Sequence, residues 1–140
     1  RHTGAAVAGL ARAAASAARA GLALACPEAE IVPVEPEGWD DVARSLATGE
    51  IQRVAKDAPP TDCDALQTPA TWPINFAILK ERCAYGLAVS LAEVRAAQRF
   101  AFSKLHLVLE PGGAAALAAA LARVASSTSG KCWSAPLTSS

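Results

Sequence analysis

Methionine does not occur in this chain, tyrosine occurs once, and aromatic residues make up only 5% of it. A core built mainly from large rings is therefore excluded, and the 52% hydrophobic share must come from small and branched aliphatic side chains. Charge of one sign is not in excess, because 13 basic residues balance 13 acidic ones. That removes the electrostatic ground for nucleic acid or an anionic membrane as a partner. No uncharged apolar run is long enough to span a bilayer: Arg12 and Arg19 interrupt the first candidate, and Arg123 follows the run from Gly112 to Ala122. Cys26, Cys63, Cys83 and Cys132 contain no Cys-x-x-Cys pair, and no histidines stand at zinc-finger spacing, so neither a metal cage nor a dithiol motif is indicated. Free thiols in the cytoplasm are the expectation. The start at Arg1 reads as a piece of a longer frame, and the stretch ending Leu22 to Cys26 carries arginines unlike a secretory leader.

With 140 residues, of which 19% are charged, the chain has the size and apolarity of one packed domain. Ala5 to Ala20, with Arg12 and Arg19 seven apart, predicts an amphipathic alanine-rich helix. Ile31-Val32-Pro33-Val34 is too short to nucleate a helix and suits a buried parallel strand. A loop over Glu35 to Asp41 and a short acid-led helix stopping at Gly49 follow. Ile51 to Thr71, with Pro59, Pro60 and Pro69, predicts a long surface loop. Trp72-Pro73 opens a helix to about Cys83, whose Ile74, Ala77 and Ile78 give an apolar stripe. Leu87-Ala88-Val89 reads as a strand, and Ser90-x-x-Glu93 is a capping box for a helix burying Val94, Ala97 and Ala101. Leu105, Leu107 and Leu109 predict an extended segment leading through Glu110 and a glycine turn to a second alanine-rich helix, ending near Ala125. Ser126 to Gly130 reads as a linker, and Lys131-Cys132-Trp133 as the start of one more strand.

Several residues carry chemistry. Thr3-Gly4-Ala5 to Gly9 places a small-residue turn at a predicted helix start, where free amides can hold a phosphate, although small residues there equally allow close packing. Glu35 and Asp41, with backbone carbonyls between them, are oxygen ligands of the kind magnesium or calcium accepts; Asp40 and Asp41 are equally favoured at a helix N-terminus without any metal. Glu110 stands at the exit of a predicted extended segment, where open α/β folds place ligand-binding groups. His106 has no Ser, Cys or acid spaced to orient it and reads as a packed or capped histidine rather than a base.

Four segments, taken in order, resemble the C-terminal part of the pyridoxal-phosphate-dependent threonine/serine dehydratase family, the fold-type-II enzymes that include serine racemase. They are Thr3 to Gly9, Val34-Glu35-Pro36-Glu37-Gly38-Trp39-Asp40-Asp41 with Ala43 to Leu46, Cys63-Asp64-Ala65-Leu66-Gln67-Thr68-Pro69, and Lys104 to Leu117 with its Leu109-Glu110-Pro111-Gly112-Gly113-Ala114 core. The resemblance runs from about His2 to Lys131, so residues 1–131 are expected to form the C-terminal part of such a catalytic domain and 132–140 a divergent tail. It implies a cofactor site of Thr3, Gly4, Ala5, Asp64, Ala65 and Glu110, and a cation site of Glu35, the Trp39 carbonyl and Asp41 holding magnesium or calcium. The phosphate turn keeps a single glycine, and alanine stands at position 65 where the family has glycine. The family's Schiff-base lysine belongs to its N-terminal half, and no Ser-Phe-Lys segment of that kind occurs here. Trp133 to Leu137 replaces the Ser-Gly-Gly-Asn segment.

The resulting expectation is an α/β fragment of a fold-type-II pyridoxal phosphate enzyme, with few parallel strands flanked by alanine-rich helices. Its parent would be a threonine/serine ammonia-lyase giving a 2-oxo acid and ammonia, with racemization of serine as the alternative within the family. No catalytic residue is assigned to the chain itself, which should be inactive alone. Its partners would be a small amino-acid substrate, the N-terminal half of the enzyme and a second copy of itself. A non-catalytic α/β module without cofactor is the rival reading, and strands left uncovered predict association in isolation.

Overall fold

The fold is built around one extended segment, Ile31 to Pro36, that Pro33 divides into two short strands. The computed structural model describes residues 6–7 and 30–128. Strand β1 (Ala6–Val7) runs parallel to β2 (Ile31–Val32), and β3 (Val34–Pro36) runs parallel to β4 (Leu87–Val89). Pro33 has no N–H for a ladder, yet its carbonyl accepts from Leu87 N at 2.8 Å and so continues the pairing toward β4. Parallel strands require crossovers. The one between β3 and β4 contains α1 (Asp41–Thr48), a long loop with a single 3₁₀ turn at Asp64–Leu66, and α2 (Pro73–Arg82). Helices α3 (Leu91–Phe100) and α4 (Pro111–Thr128) complete the described chain. None of the helices is long and apolar enough to cross a membrane, the described residues alone being considered.

Two cores form on opposite sides of the strands, the layering expected of parallel sheets. On one side Ile31 packs with Leu79 and Cys83, joined by Val42 and Leu46 from α1. On the other, Val34 and Val89 meet Val94 and Ala97 of α3 and Ala114, Ala115, Ala118 and Ala119 of α4, with Cys63 inserted from the long loop. Alanines at the α3/α4 contact let the two helices approach closely, which supplies packing without large rings. The α/β class and the parallel pairing agree with the expectation from sequence.

Local signals explain most boundaries. Gly49 adopts φ +76°, the left-handed conformation that ends α1, and its N–H donates to Ser45 O at 2.9 Å. Pro73 occupies the first turn of α2. The Ser90/Glu93 capping box forms in both directions, with Ser90 N donating to Glu93 Oε2 at 2.7 Å and Glu93 N to Ser90 Oγ at 3.3 Å.

Six expectations are corrected. Ala6–Val7 is extended rather than the beginning of a helix, because it pairs with Ile31–Val32; the remainder of that expected helix and the strand at Lys131 to Trp133 lie outside the described residues. Glu35 and Pro36 belong to β3, so the following loop is shorter than expected. Ile74, Ala77 and Ile78 are exposed, Ile74 by 73%, while Phe76 and Leu79 are buried. Both faces of α2 carry apolar residues, and the strands engage the one with Phe76, Leu79 and Cys83. Leu105 to Leu109 is not a strand: α3 continues into a π-helical turn over Ala101–Leu105, and His106, exposed, closes it as its C-cap at φ 55°, the capped rather than the packed half of its reading. Gly112 and Gly113 lie within the first turn of α4 instead of forming a preceding turn, and α4 runs to Thr128 through the expected linker.

Gly86 is held against α1. A Cβ built on it would fall 2.9 Å from both Cα and Cβ of Ala43, and the backbone atom cannot rotate away. Gly86→Ala is expected to destabilise the fold by on the order of 1–3 kcal/mol, measured by chemical denaturation. Gly113→Ala, whose Cβ would meet Glu110 Cγ at an ordinary 3.5 Å, should leave stability equal or higher.

Candidate functional site

Two groups of sequence-selected residues come together, and each is positioned by a neighbouring helix. The first surrounds Glu35. Alternation along Val34-Glu35-Pro36 turns Val34 toward the alanine helices and Glu35 toward α1. There its two carboxylate oxygens accept the amides that open the helix: Val42 N at 3.2 Å to Oε1 and Ala43 N at 2.9 Å to Oε2. Asp40 stands at the usual capping position without making a side-chain cap. Glu35 therefore performs from an adjacent strand the task that a cap residue performs locally.

Asp41, the first residue of α1, is only 1% exposed. Burial pushes the Glu35 carboxyl up from the ordinary 4.5 to about 8; the Ala43 and Val42 amides oppose this, and the nearby Asp41 and Asp40 charges reinforce it. The loop between these acids is fixed on its far side, where the Trp39 indole N–H donates to Pro59 O at 2.7 Å. Gly38 has φ +79°, and a Cβ there would fall 2.5 Å from Pro59 Cδ, so that close passage requires glycine. Glu35 and Asp41 are thus brought together, with Trp39 on the loop that joins them. Among the described residues, no group of three or more His, Cys, Asp or Glu is arranged to hold a metal.

The second group lies at the start of α4. Cys63 is completely buried in the alanine core and anchors the turn Asp64–Leu66, with Leu66 N donating to Cys63 O at 2.9 Å. Burial pushes its thiol above the usual range, which makes it an inert packing group rather than a nucleophile. Asp64 and Ala65 remain exposed on that turn, with Asp64 Oδ1 accepting from Ala65 N at 2.7 Å. Gly112 faces them: a Cβ there would lie 3.7 Å from Leu66 Cγ and 3.9 Å from Ala65 Cβ. Glu110 precedes the helix with its side chain exposed, and its carbonyl accepts from Ala114 N at 3.0 Å. Gln98 steadies the approach to this point by donating from Nε2 to Leu109 O at 2.9 Å.

The Asp64–Leu66 turn and Glu110 therefore lie beside one helix N-terminus, where Gly112 and Gly113 precede the first intrahelical bond. Thr3, Gly4 and Ala5 lie outside the described residues. Sequence reasoning missed Cys63, Gln98 and the Trp39 indole as positioning groups. Only the isolated cysteine in a polar loop gave a signal, as a buried anchor among exposed neighbours.

The pyridoxal-phosphate dependent enzyme family matches residues 2–133. The chain belongs to that family. Serine racemase of Dictyostelium discoideum is 35% identical over 95 residues, covering 68% of this chain and 29% of that protein. L-threo-3-hydroxyaspartate ammonia-lyase of a Pseudomonas species is 37% identical over 93 residues, or 66% of this chain and 28% of the relative. The structure of threonine deaminase from T.th. superposes with a TM-score of 0.68 at 36% identity, over 74% of this chain and 37% of that one. The chain thus spans less than a third of the length of these two curated relatives.

The Glu35 cap has a pH signature. Its folded-state pKa lies above the unfolded one, so its stabilising contribution is complete below about 4.5 and is lost as pH rises through about 8. The unfolding free energy from chemical denaturation should fall between pH 5 and 8 by on the order of 1–3 kcal/mol more in the native protein than in Glu35→Gln. Equal slopes in the two proteins would show that this carboxyl ionises normally.

Proposed function

We propose that the chain is the C-terminal part of a pyridoxal-phosphate-dependent ammonia-lyase acting on L-serine or L-threonine. The observation that carries this reading is the facing of Asp64–Leu66 and the start of α4, with the exposed Glu110 carboxylate beside them. The residues fit one wall of a coenzyme pocket: a small flat surface at Ala65 and Gly112, amides at a helix N-terminus, and one acid. Thr3, Gly4 and Ala5 would hold the phosphate through backbone amides and the Thr3 hydroxyl. Pyridoxal phosphate, when bound, supplies an electron sink for the carbanion left by removing the α-proton. Asp64 and Ala65 would line the ring's surroundings, and Glu110 would hold or move a proton at its carboxylate. The net reaction of such a lyase would convert the hydroxy-amino acid into a 2-oxo acid and ammonia. The anchoring lysine would come from the remainder of a longer polypeptide.

A serine racemase stands among the relatives, which favours serine racemization as the second reading; both reactions begin with α-proton removal. Co-expression with the upstream coding segment should give 2-oxo acid from L-serine or L-threonine, detected with a coupled dehydrogenase. D-Serine on chiral chromatography without 2-oxo acid would select the racemase reading. An upstream sequence with no Ser-Phe-Lys-like segment would reject both and leave the non-catalytic module.

The same reading gives Glu35, the Trp39 carbonyl and Asp41 as the groups that would hold magnesium or calcium. Each Glu35 oxygen has acceptor capacity beyond its one amide bond, and oxygen donors suit such hard cations. Burial raises the Glu35 carboxyl to about 8, so cation binding should be accompanied by proton release. Calorimetric titration of the chain is expected to show heat that varies with the buffer's ionisation enthalpy and disappears in Asp41→Ala. No heat in either protein would reject the cation.

A further inference from the structure

The proline-rich loop between α1 and α2 is tied down by a group that neither the coenzyme nor the cation reading uses, the Trp39 indole. Its ring N–H donates to Pro59 O at 2.7 Å, across a separation of 20 residues. The mount of that ring is stiff. Trp39 N donates to Pro36 O at 3.0 Å, so the indole stands on the tight turn between β3 and α1, two elements that the Glu35 carboxylate locks together. Gly38 passes so near Pro59 that a Cβ on it would fall 2.5 Å from Pro59 Cδ, and the two segments are therefore in direct contact.

From Pro59 the chain leads through Pro60, Thr61 and Asp62 to Cys63 and the Asp64–Leu66 turn. Each proline fixes its own φ and biases the residue before it toward extended backbone, so a displacement at Pro59 is carried forward rather than absorbed. Thr61 then grips the turn from both flanks. Its Oγ1 accepts from Cys63 N at 3.2 Å, and its carbonyl accepts from Gln67 Nε2 at 3.0 Å. The turn closes on the same frame, with Leu66 N donating to Cys63 O at 2.9 Å and Gln67 N to Asp64 O at 3.1 Å. The Asp62–Arg95 pair lies in solvent and holds the segment only weakly.

We propose that Trp39 is a positioning residue of the coenzyme wall: through Pro59, Pro60 and Thr61, its indole N–H sets where Asp64 and Ala65 stand beside Gly112. Cys63 fixes one point of the turn in the core. A segment pinned at one point keeps the freedom to pivot about it. The indole supplies a second point upstream, and Thr61 passes it to both flanks. Asp64 and Ala65, which are exposed, are thereby held in one orientation toward the start of α4. A surface ordered in advance lowers the ordering cost of binding whatever meets it. That function rests on the lyase reading of the turn as a coenzyme wall, whereas the placement itself is measurable without coenzyme, so either can fail alone.

Amide hydrogen exchange of the full chain, read residue by residue by nuclear magnetic resonance, tests this. Trp39→Phe keeps an aromatic ring in place and removes the indole N–H. The Leu66 and Gln67 amides should then exchange about two- to tenfold faster, the factor that loss of one hydrogen bond implies. The Val94 and Ala114 amides, which donate to Ser90 O and Glu110 O and report on α3 and α4, should change by less than about twofold. The Ala65 methyl resonance should shift as well. Pro60→Gly loosens the connection while leaving the indole and its acceptor in place, and should accelerate the same two amides. Combined, the two substitutions should add little beyond either one, because both interrupt a single path. Unchanged exchange at Leu66 and Gln67 in Trp39→Phe would overturn the proposal, since the ring would then act by packing alone. Fully additive effects in the double variant would overturn it too, as would equal acceleration at Val94 and Ala114, which would make the indole a support of the whole fold.

Discussion

The alternation of side chains along Ile31 to Pro36 is the constraint on which the rest of the structure depends. Ile31 and Glu35 turn toward α1 and α2, whereas Val34 turns toward α3 and α4. A one-residue slip would carry the Glu35 carboxylate into the alanine core and Val34 into the acid cluster, at a cost no local contact could offset. The Glu35 bonds to Val42 and Ala43 therefore do more than begin a helix. They fix the register of the central strand against α1 and hold Asp41 inside at the same time.

The second consequence is the position of the Asp64–Leu66 turn. A long loop of polar and proline-rich composition has little reason to adopt one conformation by itself. Cys63 gives it one by entering the core between Val34, Val89 and α4. The exposed Arg95–Asp62 pair, at 2.9 Å, contributes little by comparison because both partners remain in solvent. The antiparallel bridge between Arg53 and Ala70, with Val54 N donating to Pro69 O at 2.9 Å, closes the loop's base. Asp64 and Ala65 are consequently presented by an apolar anchor, their own polar bonds being local to the turn, with Gly112 facing them on the other side.

Several sequence signals that were local and chemically specific agreed with the structure. The capping box at Ser90 and Glu93, the left-handed stop at Gly49, the Pro73 opening and the buried face of α3 needed only neighbouring residues to be read. Signals from apolar spacing alone failed where two solutions fitted. Ile74/Ala77/Ile78 and Phe76/Leu79 are both plausible faces of α2, and the outcome was set by β2. Leu105/Leu107/Leu109 has strand periodicity, yet among the described residues no strand pairs with it, and the helix preceding it extends by a π-turn. For the candidate site, Glu35, Asp41, Asp64, Ala65 and Glu110 were legible as residue types in an order shared with the family. What could not be read was Glu35's engagement with helix amides, because it joins residues seven and eight apart across a turn of backbone.

The described strands are two or three residues long and meet only in pairs, too little for a sheet that stands by its ladder alone. Their geometry must come from the layers that cover them. α4 supplies most of this on one side, since it touches β1, β3, β4 and the Asp64–Leu66 turn while lying along α3. Its first turn is part of the candidate coenzyme wall and its later turns floor a small groove beside β4, so one alanine-rich helix fixes the spacing between them. A chain spanning under a third of these two curated relatives can hold Asp64, Ala65, Glu110 and Gly112 in a fixed relative placement for this reason. The alignment depends on packing one helix against short strands, rather than on completing the sheet.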